Sequence, residues 1–237
     1  MVRPSARPKT VRTANVWKTT ARPATVPVPP ADLHVSPTQW PRGKPIHRIH
    51  LARYAADGFN PGRKGDARFS PIVDATGAVI PTLYGGSTFD CAAMETVFHD
   101  VPYAPGFKSY DKRKLDGQIH SVLIPTNDLV LADLSNVALR KLGVPRARLI
   151  DTEKDCHSQT RKWAEAIHTR VAGIQGLCWT SRQDDRAQAI VLFGDRIAGK
   201  LLIPDEASRE LLDGASVYAE LLLLADRIGV SIIEGRS

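Results

Sequence analysis

Nine prolines fall within residues 1–45, at Pro4, Pro8, Pro23, Pro27, Pro29, Pro30, Pro37, Pro41 and Pro45, separated mainly by Thr, Ala and basic residues. Proline has no backbone N–H and a nearly fixed φ, so such a stretch cannot sustain a helix or a regularly paired strand. It predicts a flexible or polyproline-like arm over residues 1–45, followed by a folded body over residues 46–237. Trp17 and Trp40 are the two side chains that could anchor the arm on that body. Removing residues 1–45 is expected to leave the body folded and active.

The formal net charge of +7 belongs to the same arm. Residues 1–45 hold Arg3, Arg7, Lys9, Arg12, Lys18, Arg22, Arg42 and Lys44 against the single acid Asp32, so the remaining residues balance to zero. A basic groove for nucleic acid built into the body is therefore not supported, and any such binding is expected to go through the arm or a partner. The 237 residues suit one core with an appendage. No apolar run approaches the roughly 18 residues of a membrane span, and the arm lacks the apolar block of a secretory signal. These features predict a soluble, cytoplasmic protein with no membrane partner. Cys91, Cys156 and Cys178 are odd in number and widely spaced. They predict reduced thiols, with neither a disulfide nor a structural metal.

Along the body, 46–51 alternates like a strand, 57–66 is rich in Gly, Asn and Pro and reads as a loop, and 79–84 is a second strand ended by Gly85 and Gly86. Ser87 or Thr88 can cap a helix running to about His99. Strands are predicted at 119–124, 129–134, 176–180, 189–193 and 230–233, and helices at 160–171 and 216–228. Irregular alternation of this kind favours an α+β fold with a mixed, largely antiparallel sheet and packed helices over a doubly wound parallel one. Neither GxGxxG nor GxxxxGK[ST] occurs, so Rossmann and P-loop readings have no motif support.

Glu95 is the most informative candidate. Its helix, Phe89-Asp90-Cys91-Ala92-Ala93-Met94-Glu95-Thr96-Val97-Phe98-His99, is apolar on nearly every side, so a carboxylate there needs a partner or a polar cavity. A buried ion pair and a functional site fit this pattern equally well. Arg48, inside a short apolar strand, needs an anion too: it could satisfy Glu95 or meet a ligand phosphate through its bidentate fork. Arg68 follows the Lys64-Gly65 loop and could simply be exposed. Tyr84 precedes two glycines and could stack on a flat ligand or pack in the core. Ser181 sits where a strand gives way to a polar turn, without a GxSxG elbow. His47, His50 and His99 could approach one another, and Cys156, His157 and His168 suggest zinc or Cys/His chemistry, but neither set has a ligand pattern.

Taken in order, His47-Arg48-Ile49-His50, Ala67-Arg68-Phe69-Ser70-Pro71, Thr82-Leu83-Tyr84-Gly85, Ala92 to His99 and Gly176 to Arg182 resemble the RES-domain family. The family is named for an arginine, a glutamate and a serine, matched by Arg48, Glu95 and Ser181, and the resemblance spans roughly residues 46–196. It implies an ADP-ribosyltransferase-like fold and cleavage of the glycosidic bond of NAD, which is substrate rather than cofactor. On that basis Arg48 binds the pyrophosphate or an incoming phosphate, Glu95 holds a ribose hydroxyl and opposes developing positive charge, Tyr84 flanks nicotinamide, and Ser181 orients the ribose or a phosphate. Arg68 and Arg182 are possible anion contacts. The acceptor is open among phosphate (phosphorolysis, a glycosyltransferase reaction), water (glycohydrolysis) and a protein side chain (ADP-ribosylation). The resemblance also implies the toxin of a toxin–antitoxin pair, restrained by a separate Xre-type antitoxin. Residues 1–45 are too proline-rich to supply a helix-turn-helix module of their own. The rival from another class is a non-catalytic binding module that engages nucleic acid or protein through the basic arm.

Overall fold

The computed structural model describes residues 25–205, 207–212 and 215–235. Most of the expected arm, including Trp17, lies outside them. Among the described residues thirteen strands and five α-helices follow in chain order: β1 (Pro37–Trp40), β2 (Ile46–Leu51), β3 (Ile72–Val73), β4 (Val79–Ile80), β5 (Thr82–Gly86), α1 (Phe89–Thr96), β6 (Lys108–Asp111), β7 (Gln118–Pro125) and β8 (Leu129–Asp133). Then come α2 (Ala138–Leu142), α3 (Arg146–Leu149), α4 (His157–Arg170), β9 (Gly176–Thr180), β10 (Gln188–Phe193), β11 (Leu202–Pro204), β12 (Arg209–Glu210), α5 (Ala215–Arg227) and β13 (Val230–Ile233).

Nine of the strands form one sheet in the order β1-β8-β9-β10-β5-β2-β7-β11, with β12 also on the outer edge of β7. All neighbours are antiparallel except β8 and β9. This is the mixed, largely antiparallel α+β architecture expected of the sequence. Although only a short turn separates β7 from β8, the two do not pair; β8 crosses to lie between β1 and β9.

Period-two alternation sorts side chains between the faces of the sheet. On β10, Ala189, Val191 and Phe193 join a core with Trp163, Ala164 and Ile167 of α4. Ile190 and Leu192 pack instead with Trp40, Leu83, Leu129 and Leu131. A third cluster unites α1 with α5 through Phe89, Ala92, Ala93, Leu221 and Leu224.

Residues 25–45 correct the expectation of a flexible arm up to residue 45. Trp40 is 1% exposed, its Nε1 donates to the Lys44 carbonyl at 3.0 Å, and β1 extends the sheet along β8. Farther back, Val26 is buried, the Pro27 carbonyl accepts from Trp163 Nε1 at 2.7 Å, and the Pro30 carbonyl accepts from Arg170 at 2.6 Å. Prolines keep their carbonyls, and those carbonyls let an extended segment dock on a helix without making a ladder of its own. In residues 25–45 these contacts pack the segment on the body.

The predicted strand 79–84 is split at Pro81, and its second half runs on through Gly85 and Gly86 rather than ending before them. A Cβ on Gly86 would lie 2.8 Å from Cys91 Sγ and 2.9 Å from Cys91 Cβ, so the bare backbone lets α1 lie directly on β5. Gly86→Ala is therefore expected to destabilise the fold by about 1–3 kcal/mol, the scale of overpacking a filled core. Urea unfolding checks this, and an unchanged midpoint would show that α1 can shift freely.

Candidate active site

Thr88 caps α1 by accepting from the Cys91 N–H at 3.1 Å, as its position in the sequence suggests. The helix ends at Thr96, sooner than expected, because the Phe98 N–H reaches the Ala93 carbonyl five residues back and the chain leaves the regular ladder. Cys91, Ala92 and Ala93 are buried, while Glu95, on the last turn, is half-buried on the wall of a cavity of about 350 Å³.

Glu95 Oε1 accepts from Ser181 Oγ at 2.5 Å. The serine hydroxyl itself accepts from the Gln183 and Asp184 N–H groups, each at 3.0 Å. Its one proton is thus committed to the carboxylate, which is held in one orientation by a charge-assisted bond. Ser181 is 0% exposed and stands behind Glu95, off the cavity wall. Its hydroxyl therefore acts on the carboxylate, which in turn faces the cavity. Cys91 lies nearby, its thiol pushed up to about 12 by burial and then by the Glu95 charge, so it is no thiolate nucleophile.

Two guanidiniums line the same cavity. Arg48, on β2, is 9% exposed, and its Nη1 donates to the Ala56 and Gly58 carbonyls at 2.6 and 3.1 Å. Its hydrogen bonds go to backbone rather than to Glu95, and its buried Nε has no hydrogen-bond partner among the described residues. Arg68 is 7% exposed and donates to the Thr152 carbonyl at 3.1 Å and the Thr152 hydroxyl at 2.5 Å. Burial lowers both to about 10, further opposed for Arg68 by Arg182, so both stay charged at neutral pH. Positive charges held by neutral groups, facing a cavity with one fixed carboxylate, suit a ligand carrying both anionic and cationic parts.

Tyr84 and Trp179 supply an aromatic wall, their rings edge to face at 6.4 Å. The Tyr84 hydroxyl accepts from the Phe69 N–H at 2.9 Å, and burial pushes it up to about 12. Trp179 escaped attention as a site residue, although strand alternation from Leu177 puts it on one face and could have signalled it. The other lining residues include Asp66, His99, Asp100, Lys154 and His157, all in segments read as loops or helix ends.

The remaining candidates separate. Arg182 donates to the Thr152 carbonyl at 2.5 Å and to Glu153 at 3.1 Å, outside the cavity lining. His47 stacks on His120, His50 bonds the Ser121 hydroxyl, and His99 pairs with Asp100, so the three histidines do not gather. His157 meets the Asp66 carbonyl at 2.7 Å, and His168 meets Asp195 at 2.8 Å. Cys91, Cys156 and Cys178 are buried thiols. Among the described residues no metal-holding group of His, Cys, Asp or Glu occurs, and no helix is long and apolar enough to cross a membrane.

The family profile described as the RES domain matches residues 45–211. The chain belongs to the RES-domain family. That span carries Arg48, Glu95 and Ser181 together with the whole cavity. A chain from the crystal structure of the M. tuberculosis MbcT–MbcA toxin–antitoxin complex is similar to this RES protein in fold. The TM-score is 0.55 at 16% identity, over 78% of this chain and 91% of that one. No curated protein sequence matches.

Proposed function

We propose that this RES protein cleaves the nicotinamide–ribose bond of NAD in the cytoplasm, as the toxin of a toxin–antitoxin pair. The observation that carries the reading is the Glu95 carboxylate, locked by Ser181 on a cavity wall between two buried guanidiniums and an aromatic face. The nicotinamide ring would lie against Tyr84 and Trp179. Glu95 would face the ribose, holding a hydroxyl and opposing the positive charge that develops on it. Arg48 and Arg68 would meet the phosphates, with Arg182 farther out.

In the reaction the C–N bond breaks with its electron pair passing to the nicotinamide nitrogen, which loses its positive charge. The ribosyl cation is then captured by an oxygen of phosphate or water. A fixed carboxylate in a partly desolvated cavity stabilises that cation more than it does the ground state. Membership in the RES family and the fold shared with a chain of a toxin–antitoxin complex support the toxin role, with an Xre-type antitoxin as partner.

Incubation with NAD, with and without inorganic phosphate, followed by phosphorus NMR tests the reading. Nicotinamide with ADP-ribose 1″-phosphate is the expected product pair when phosphate is present, and ADP-ribose marks capture by water. Intact NAD after prolonged incubation with folded protein would refute it.

A further inference from the structure

The cavity is at the small end of the roughly 300–1,000 Å³ found for small-molecule sites. It would hold nicotinamide and its ribose and leave the rest of a dinucleotide outside. It shares His99, Asp100 and Lys154 with a second hollow, whose lining includes Tyr103, Arg182 and Gln183 together with the acids Glu153 and Asp155. We propose that this groove is the binding subsite for the adenosine half of the dinucleotide, with Tyr103 as the platform for the adenine ring and Lys154 and Arg182 as contacts for the diphosphate. The assignment rests on the proposed cleavage of NAD and names the part of the substrate that reaction does not touch.

Three observations support it. Tyr103 lines the hollow and is 85% exposed, so its ring is open to a flat base. Yet it is tethered: its hydroxyl meets Gln183 Oε1 at 3.4 Å, and Gln183 Nε2 donates to the His99 carbonyl at 3.3 Å. The Gln183 N–H also donates to Ser181 Oγ, so the turn that orients Glu95 also sets the ring beside the groove. Second, Arg182 is held on the groove by the Thr152 carbonyl and Glu153. Third, Lys154 spans the junction in an exposed ion pair with Asp100 at 2.8 Å, which is cheap to open when a diphosphate arrives. Lys154 and Arg182 thus extend the row of cations that Arg48 and Arg68 begin in the first cavity.

The test uses the full chain and two readouts. In saturation-transfer NMR, ADP-ribose should bind the wild type with strong transfer to its adenine protons. Tyr103→Ala should weaken that binding at least tenfold, and Tyr103→Phe, which keeps the ring, should restore most of it. In turnover, KM for NAD should lie at least tenfold below KM for nicotinamide mononucleotide, and Tyr103→Ala or Arg182→Gln should narrow that gap. Wild-type and Tyr103→Ala proteins that bind ADP-ribose equally would overturn the groove assignment even if NAD is cleaved. Loss of ADP-ribose binding in Tyr103→Ala would uphold it even if no turnover is found, in which case the cleavage reading alone falls.

Discussion

Replacing Glu95 with glutamine is expected to lower NAD turnover by about a hundredfold or more while leaving the protein folded. Glutamine keeps an oxygen that can accept from Ser181, so the bond now seen at 2.5 Å has a successor of similar shape. Arg48 is not orphaned by the change, because the Ala56 and Gly58 carbonyls rather than Glu95 accept its hydrogen bonds. That removes the ion-pair reading, under which the same substitution would have cost about 3 kcal/mol or more of stability. On the proposed cleavage, what disappears is the negative charge that would face the ribosyl cation, and losing one preorganised electrostatic group typically costs about 10²–10³ in kcat. Thermal melting and NAD turnover on the same preparation check the two halves together. A stable variant with unchanged turnover would remove Glu95 from the chemistry.

Deleting residues 1–45 is expected to leave little folded protein, the reverse of what the proline content suggests. The deletion takes out Trp40, 1% exposed, and loss of a buried Trp from a core costs about 3–5 kcal/mol. It also strips β1 from β8 and uncovers Trp163, whose Nε1 loses the Pro27 carbonyl. Against a total stability of about 5–15 kcal/mol such losses are decisive. Trp40→Ala alone should lower the unfolding free energy by about 3–5 kcal/mol in urea titration. A truncated chain that melts like the full one would show that the segment is only laid on the surface.

The two variants also mark how far the sequence could be read. Glu95 was legible because a carboxylate among Cys91, Ala92, Ala93 and Phe98 conflicts with its surroundings, and such conflict points to a site or a buried pair. Which of the two it was depended on where Arg48 sent its hydrogen bonds, and backbone carbonyls eight and ten residues away leave no trace in a pattern of side chains. Ser181 was found by its place in a motif, whereas its role as the hydroxyl behind Glu95 required the turn from Ser181 to Asp184 to be closed in space. β1 was missed because Pro37 and Pro41 bracket it, and proline is tolerated on an edge strand that propensity alone would reject. Asp100 and Tyr103 sit in a loop and Lys154 in a single 3-10 turn, none with a readable periodicity, and the meeting of the 99–103 segment with residues 153–155 gives them a shared location.

The proposed reaction breaks the bond between nicotinamide and ribose in the cavity around Glu95. Free nicotinamide released from NAD by the folded wild-type chain, quantified by chromatography over time, tests it most directly. Many equivalents of nicotinamide per protein molecule are expected. No nicotinamide beyond a protein-free control, from a preparation with a cooperative melting transition, would contradict it.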